Sequence, residues 1–184
     1  MDRNGYAGLC TSLALDSSGK THISYYDATN KNLKYATNAS GSWIKKTVDS
    51  SGDVGMYISL VVDSFDKVHI SYYDAANKDL KYTTNASGPW VKKTVDSGGD
   101  VGRYTSLAVD SFGKVHISYY DDIRGNLKYA TNTSGSWVKK TVDSGGDVGR
   151  YTSLALDSSD KVHIKVHISY YDDTNRDLKY ARKR

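Results

Sequence analysis

Lys67–Asp74 reads KVHISYYD, Lys114–Asp121 repeats it letter for letter, and Lys20–Asp27 reads KTHISYYD. Within the phrase, Val68, Ile70 and Tyr72 alternate with His69, Ser71 and Tyr73, the period of two that marks a β-strand. The histidines fall at His22, His69 and His116, 47 residues apart, and Trp43, Trp90 and Trp137 keep the same interval. Laying residues 57–103 over 104–150 gives 11 mismatches in 47 positions, hence 36 identities. The chain is a tandem array of one unit. The fourth copy departs in one place, where Lys161–Ile164 (KVHI) is repeated at once as Lys165–Ile168. A four-residue insertion preserves the facing of every side chain, so it is absorbed either as a longer strand or as a loop.

Working outward, each unit holds four strand-like runs. In the second copy these are Ile58–Asp63, Val68–Asp74, Leu80–Asn85 and Trp90–Asp96, parted by DSFDK, DAANKD, NASGP and DSGGDVG. The separators carry the Asp, Asn, Gly and Ser that turns require. No window repeats apolar residues at helical spacing. Hydrophobicity falls from the first run to the fourth, which predicts burial falling the same way. The expected fold is all-β: a β-propeller of four-stranded antiparallel blades, about 47 residues per repeat, with four blades and the last incomplete. One domain over 1–184 is expected, with repeats near 10–56, 57–103, 104–150 and 151–184. The pairs Lys45–Lys46, Lys92–Lys93 and Lys139–Lys140 fall on the outermost strand, where charge discourages edge pairing.

Composition agrees. A chain of 184 residues buries roughly 70% of its unfolded surface and needs no staples. Charged residues at 25% with a net of +4 exclude a disordered polyelectrolyte, a coiled coil and a membrane span. The single cysteine, Cys10, excludes an internal disulfide framework and a cysteine-ligated zinc site. Tyrosine is the outlying count, 16 against 2 Phe and 3 Trp.

The phrases SLAVDSFGKVHISYYD (Ser106–Asp121) and LKYATNTSGSW (Leu127–Trp137) resemble the tandem repeats of bacterial and archaeal propeller proteins, over essentially the whole chain. The period and the Trp are also similar to tachylectin-type propeller lectins, which implies sugar binding between or beneath blades. A sialidase comparison is weaker, because the S-x-D-x-G-x-x-W box is absent: Asp16–Lys20 (DSSGK) runs on into Thr21 and His22.

In such a fold the fourth-to-first and second-to-third connections share one rim. That rim gathers the candidate ligand-binding residues Asp53, Tyr57, Asp74 and Asn77. The later copies add Asp100, Arg103, Tyr104 and Asp121, then Asp147, Arg150, Tyr151 and Asp172. Carboxylates, amides and aromatic faces together suit sugar hydroxyls; Asx turns and ion pairs between blades are the structural alternative. Trp43, Trp90 and Trp137 fall at the opposite rim, either wedged between blades or open to stack on a pyranose.

Every candidate His, Asp and Tyr recurs in each unit, so no unique acid–base constellation stands out and an enzyme is not expected. Histidines four apart on a strand are about 13 Å apart, too far for a shared metal, and a hydrogen-bonded His between blades is expected instead. The Asp-rich linkers lack the D-x-D-x-D-G pattern of calcium loops, so no metal or cofactor is expected. Asn38, Asn85 and Asn132 fit glycosylation acceptors, but a hairpin explains their context. Only Arg182–Arg184 forms a basic run, so nucleic acid is not an expected partner.

The chain opens with MDRNGYAGLC, in which nothing resembles a W-x-K-K-T-V-D strand, and closes on LKYARKR after a third run. This leaves a compact four-bladed ring, two chains joined as eight blades, or a piece of a longer array. No leader is visible, although the surface is compatible with secretion or a cell-surface location. Two functions stay open: a non-catalytic, multivalent, lectin-like carbohydrate-binding module whose partner is a glycan, and an assembly scaffold whose partner is protein, including a homo-oligomer completing a ring.

Overall fold

The computed structural model describes Asp2, residues 5–157 and residues 164–183. Sheet 1 holds β1 (Ala7–Leu15), β2 (Thr21–Asp27), β3 (Asn32–Thr37) and β4 (Ile44–Asp49). Sheet 2 holds β5 (Val54–Val62), β6 (Val68–Asp74), β7 (Asp79–Thr84) and β8 (Val91–Asp96). Sheet 3 holds β9 (Val101–Val109), β10 (Val115–Asp121), β11 (Asn126–Thr131) and β12 (Val138–Asp143). Sheet 4 holds β13 (Val148–Asp157), β14 (Lys165–Asp172) and β15 (Asp177–Lys183). Neighbours in each sheet are antiparallel, and the described residues contain no helix.

The first run of each repeat starts earlier than its apolar stretch suggests. β5 begins at Val54, and a register shift separates the pairs Met56↔Tyr73 and Ser59↔Ser71. Tyr57, at the shift, has φ 50°, and Cys10, Tyr104 and Tyr151 at the same repeat position have 50°, 54° and 52°. This bulge carries the strand back through its turn. Burial also departs from the expected order: β6 and β10 are buried along their whole length, whereas β5 and β9 are only half-buried. The cause is position, since the second strand has a strand on either side and the first is an edge.

Each sheet packs face to face on the next. Leu80, Tyr82 and Val95 of sheet 2 meet Val101, Leu107, Val115, Ile117 and Tyr119 of sheet 3. The equivalent residues join sheet 1 to sheet 2 and sheet 3 to sheet 4. Both residues of the Tyr-Tyr pair work in these junctions, because alternation sends them to opposite faces. Tyr72, Tyr119 and Tyr170 donate backward to Asp49, Asp96 and Asp143 of the preceding sheet (2.7, 2.7 and 2.8 Å). Tyr26, Tyr73 and Tyr120 donate forward to Asp53, Asp100 and Asp147 in the linker to the following sheet (2.6, 2.7 and 2.5 Å). The tyrosine excess is therefore a fastening used at each junction.

Lysines complete the backward fastening. Asp96 receives Lys128 Nζ at 2.6 Å and Lys139 Nζ at 3.2 Å, and Asp49 receives Lys81 at 3.2 Å and Lys92 at 3.0 Å. Lys92 and Lys139, the first lysines of their outer-strand pairs, thus reach the preceding sheet. Asp2 plays the same part for sheet 1, accepting Tyr25 Oη at 2.8 Å, Lys34 at 2.6 Å and Lys45 at 3.3 Å. Asp2 lies 47 residues before Asp49, the last residue of β4, so it stands at the position that closes an outer strand in the other repeats.

Of the two KVHI tetrapeptides, the second is the one that enters the sheet. Val166 pairs with Leu156 and His167 with Ala155, as Val68 pairs with Val62 and His69 with Val61. The second KVHI therefore occupies the strand position, Ile164 stands outside β14, and residues 161–163 lie outside the described residues.

These carboxylates predict acid sensitivity. Burial pushes Asp143 up, but Lys179, the Gly145 N–H and the Tyr170 hydroxyl outweigh it and bring the carboxyl down to about 2. Burial opposes the fall of Asp49 and Asp96 too; Tyr72 and Lys92 win at the first, Lys128 and Tyr119 at the second. A carboxyl held below its unfolded value adds stability that is present above about 3.8 and lost as pH falls through the folded value. Urea midpoints are expected to drop between pH 4 and pH 2, with a shallower drop in Asp143→Asn. A flat profile over that window contradicts the assignment.

Candidate functional site

The two connections expected at one rim do meet there. The Ala75, Asp122 and Asp173 N–H groups donate to the Asp53, Asp100 and Asp147 carbonyls, each at 2.8 Å. At the other rim, the Val68 N–H donates to Asn85 Oδ1 at 2.7 Å, with equivalents at Thr21 and Val115.

The first rim carries two arginine-centred clusters. Arg103 on β9 reaches Asp100 at 3.1 Å and Asp122 at 3.3 Å, and its guanidinium lies 5.4 Å from the Tyr73 ring of the preceding sheet. Arg150 on β13 reaches Asp147 at 2.8 Å and Asp173 at 3.2 Å, 5.3 Å from the Tyr120 ring. Burial, then the Asp100 hydrogen bond, pushes Tyr73 up to about 12, so its hydroxyl stays a donor. Arg103 Nε is buried and has no hydrogen-bond partner among the described residues. At the first junction Met56 stands at the arginine position, and Asp53 pairs with Lys31, at 3.5 Å, beside Tyr26.

Beside the arginines runs a row of aromatic rings. The bulge aims Tyr57, Tyr104 and Tyr151 along the inner strands, with ring centroids 4.7 and 4.6 Å apart in succession. Left-handed backbone at a bulky residue costs of order 1–3 kcal/mol, and strain of that kind concentrates where a side chain must be held in place. Repeated at every copy, it fixes these rings next to the arginines. Burial and its Tyr neighbours bring Tyr104 up to about 12, keeping it neutral.

The remaining candidates are employed elsewhere. Asp74 caps its own turn through the Asn77 N–H (3.0 Å) and Asn77 Nδ2 (2.9 Å), and Asp172 does the same with Asn175. Asp121 accepts the Arg124 N–H and guanidinium. All three are buried. Trp90 and Trp137 wedge edge-on against Tyr35 and Tyr82 of the preceding sheet (5.2 and 5.4 Å), while Trp43 lies exposed on the first sheet. The histidines work within one sheet instead of between sheets: His69 Nδ1 lies 2.6 Å from Tyr82 Oη and Nε2 3.0 Å from Asp63. His22 and His116 repeat the pattern. His167 keeps the Tyr180 contact at 2.6 Å, but among the described residues its Nε2 has no partner, and His163 lies outside them. Asp122 and Asp173 were not among the sequence candidates; their signal was the change from Ala28 and Ala75 to aspartate in the two copies that also gain arginine.

No protein-family model matches the chain, and no curated protein does. Solved structures do. AofleA from Arthrobotrys oligospora superposes with a TM-score of 0.73 at 15% identity, over 95% of this chain and 52% of that one. The likeness is one of fold, antiparallel sheets packed face to face in succession, and the neighbours are propeller-like. A Hadza microbial sialidase matches at a TM-score of 0.65 and 10% identity, over 98% of this chain and 45% of the sialidase. SapL1 lectin, solved with alpha methyl fucoside, matches at 0.59 and 11%, over 95% of this chain and 64% of the lectin. The chain spans roughly half to two thirds of the length of these structures, which include a lectin and an enzyme. Among the described residues, no helix is long and apolar enough to cross a membrane.

Proposed function

We propose that the chain is a non-catalytic, lectin-like module that binds carbohydrate at the junctions between consecutive blades. The observation that carries the reading is the repeated rim cluster: Arg103 with Asp100, Asp122 and Tyr73, and Arg150 with Asp147, Asp173 and Tyr120. Each offers guanidinium donors, carboxylate acceptors and tyrosine faces within one junction. Asp122, Asp147 and Asp173 keep a third or more of their side-chain surface open, which leaves acceptors for sugar hydroxyls. The Tyr57–Tyr104–Tyr151 row supplies a flat apolar surface beside them. Two such sites on one chain give avidity from weak individual contacts. The likeness to SapL1 supports the same ligand class.

A glycan array tests the reading. The wild-type chain is expected to mark a defined set of glycans, and Arg103→Ala/Arg150→Ala is expected to lose at least about tenfold of that signal. Circular dichroism serves as the folding control. A blank array from folded wild type overturns the reading, as does a signal the double variant leaves unchanged.

A further inference from the structure

The three internal junctions define what covers a blade face, and among the described residues both outer faces are left without that cover. Leu33, Leu80 and Leu127 are each 0% exposed because each presses on a glycine of the following sheet; a Cβ on Gly55, Gly102 or Gly149 would sit 2.9, 2.7 or 2.7 Å from the leucine Cα. Leu178 is the same residue of sheet 4 and is 83% exposed. Gly8 is the same glycine of sheet 1, with φ 104° against 104°, 106° and 109° in the others, and nothing lies within 4 Å of its Cβ position. A cavity of about 280 Å³ opens there, lined by Ala7, Gly8, Thr11, Ile23, Tyr25 and Ala36. Leu13 is 59% exposed, whereas its counterparts Leu60, Leu107 and Leu154 are 6–8% exposed.

The polar groups match as well. Ser12, Ser59 and Ser106 accept the Leu60, Leu107 and Leu154 N–H groups of the next sheet, at 2.9, 3.1 and 2.9 Å. Ser153 holds that position in sheet 4, and the Leu13 N–H is its counterpart donor. Ser71 pairs with Thr105 at 2.6 Å and Ser118 with Thr152 at 2.8 Å. The next pair in that series is Ser169 with Thr11, on the two outer faces. The first junction has Ile58 at the threonine position and leaves Ser24 Oγ unpaired, so the outer faces are better matched than one of the internal junctions.

We propose that a second copy of this chain seats its first sheet on the fourth sheet of its partner, remaking the internal junction between chains, with Leu178 entering the Gly8 cavity. The contact is head-to-tail, so each copy keeps one face free until a ring closes or a row extends. It stands on packing alone and does not depend on sugar binding.

Sedimentation velocity on the purified chain tests it through two variants on surfaces already exposed, which spares the fold. Wild type is expected to sediment as a species larger than the monomer and to grow with concentration. Leu178→Asp and Leu13→Asp are each expected to be monomeric alone. Mixed, they are expected to form a one-to-one dimer, because each retains the face the other lacks. A monomeric wild type overturns the proposal, whether its faces stay open or close on each other. Self-association of either variant alone overturns it too, since that requires like faces to meet, as does a mixture that stays monomeric.

Discussion

Asp96→Ala is expected to lower stability by about 3 kcal/mol, the low end of the cost of breaking a buried ion pair by removing one partner. Asp96 is 2% exposed and holds three groups of sheet 3: the Tyr119 hydroxyl, Lys128 and Lys139. Lys139 has room to turn to water, with 43% of its side chain exposed, but Lys128 has 14% and lies 5.6 Å from the Tyr119 ring centroid. Without the carboxylate the buried Tyr119 hydroxyl loses its acceptor, and the ammonium is left with the more distant Asp121, at 3.9 Å. Asp96→Asn should cost less, because an amide oxygen still accepts from Tyr119. Urea unfolding followed by tryptophan fluorescence reads this junction directly, since Trp137 packs on Tyr82 across it. A loss under about 1 kcal/mol for the alanine variant would mean the network is a surface ornament.

Gly102→Ala is expected to cost about as much, for a steric reason. At φ 106° an L side chain is strained, and its Cβ would lie 2.7, 2.9 and 3.0 Å from the Cα, Cβ and N of Leu80. Those are backbone and near-backbone atoms of the preceding sheet, so no rotamer relieves them and the junction must open. Strain and overpacking each cost about 1–3 kcal/mol, giving about 4 together. Gly88→Ala is the control, at a hairpin turn away from every junction, with φ 98° and nothing within 4 Å of its Cβ position. It carries the strain without the clash, and the difference between the two isolates the packing of one blade on the next. Equal losses would contradict the close approach.

Much of this architecture is open to reading from the chain because repetition and alternation are local signals. Val68–Asp74 is both the expected second strand and the observed β6. What packing decides was less accessible. The reach of Tyr72 to Asp49, across 23 residues, appears only once two sheets face each other, and the arithmetic that would have revealed Asp2 was its distance of 47 from Asp49. The order of burial was misread because apolar content marks a strand as buried without saying whether it is central or an edge. At the rim, Asp74, Asp121 and Asp172 were attractive because they repeat, and they repeat because each turn needs its cap. The residues that vary, Arg103 with Asp122 and Arg150 with Asp173, set two junctions apart from the first.

That difference gives the decisive measurement: titration calorimetry of the chain with the sugar the array selects. Two equivalent sites per chain, both lost in Arg103→Ala/Arg150→Ala, are the expected result. No heat of binding from the folded protein, or sites that survive the double substitution, would contradict the account.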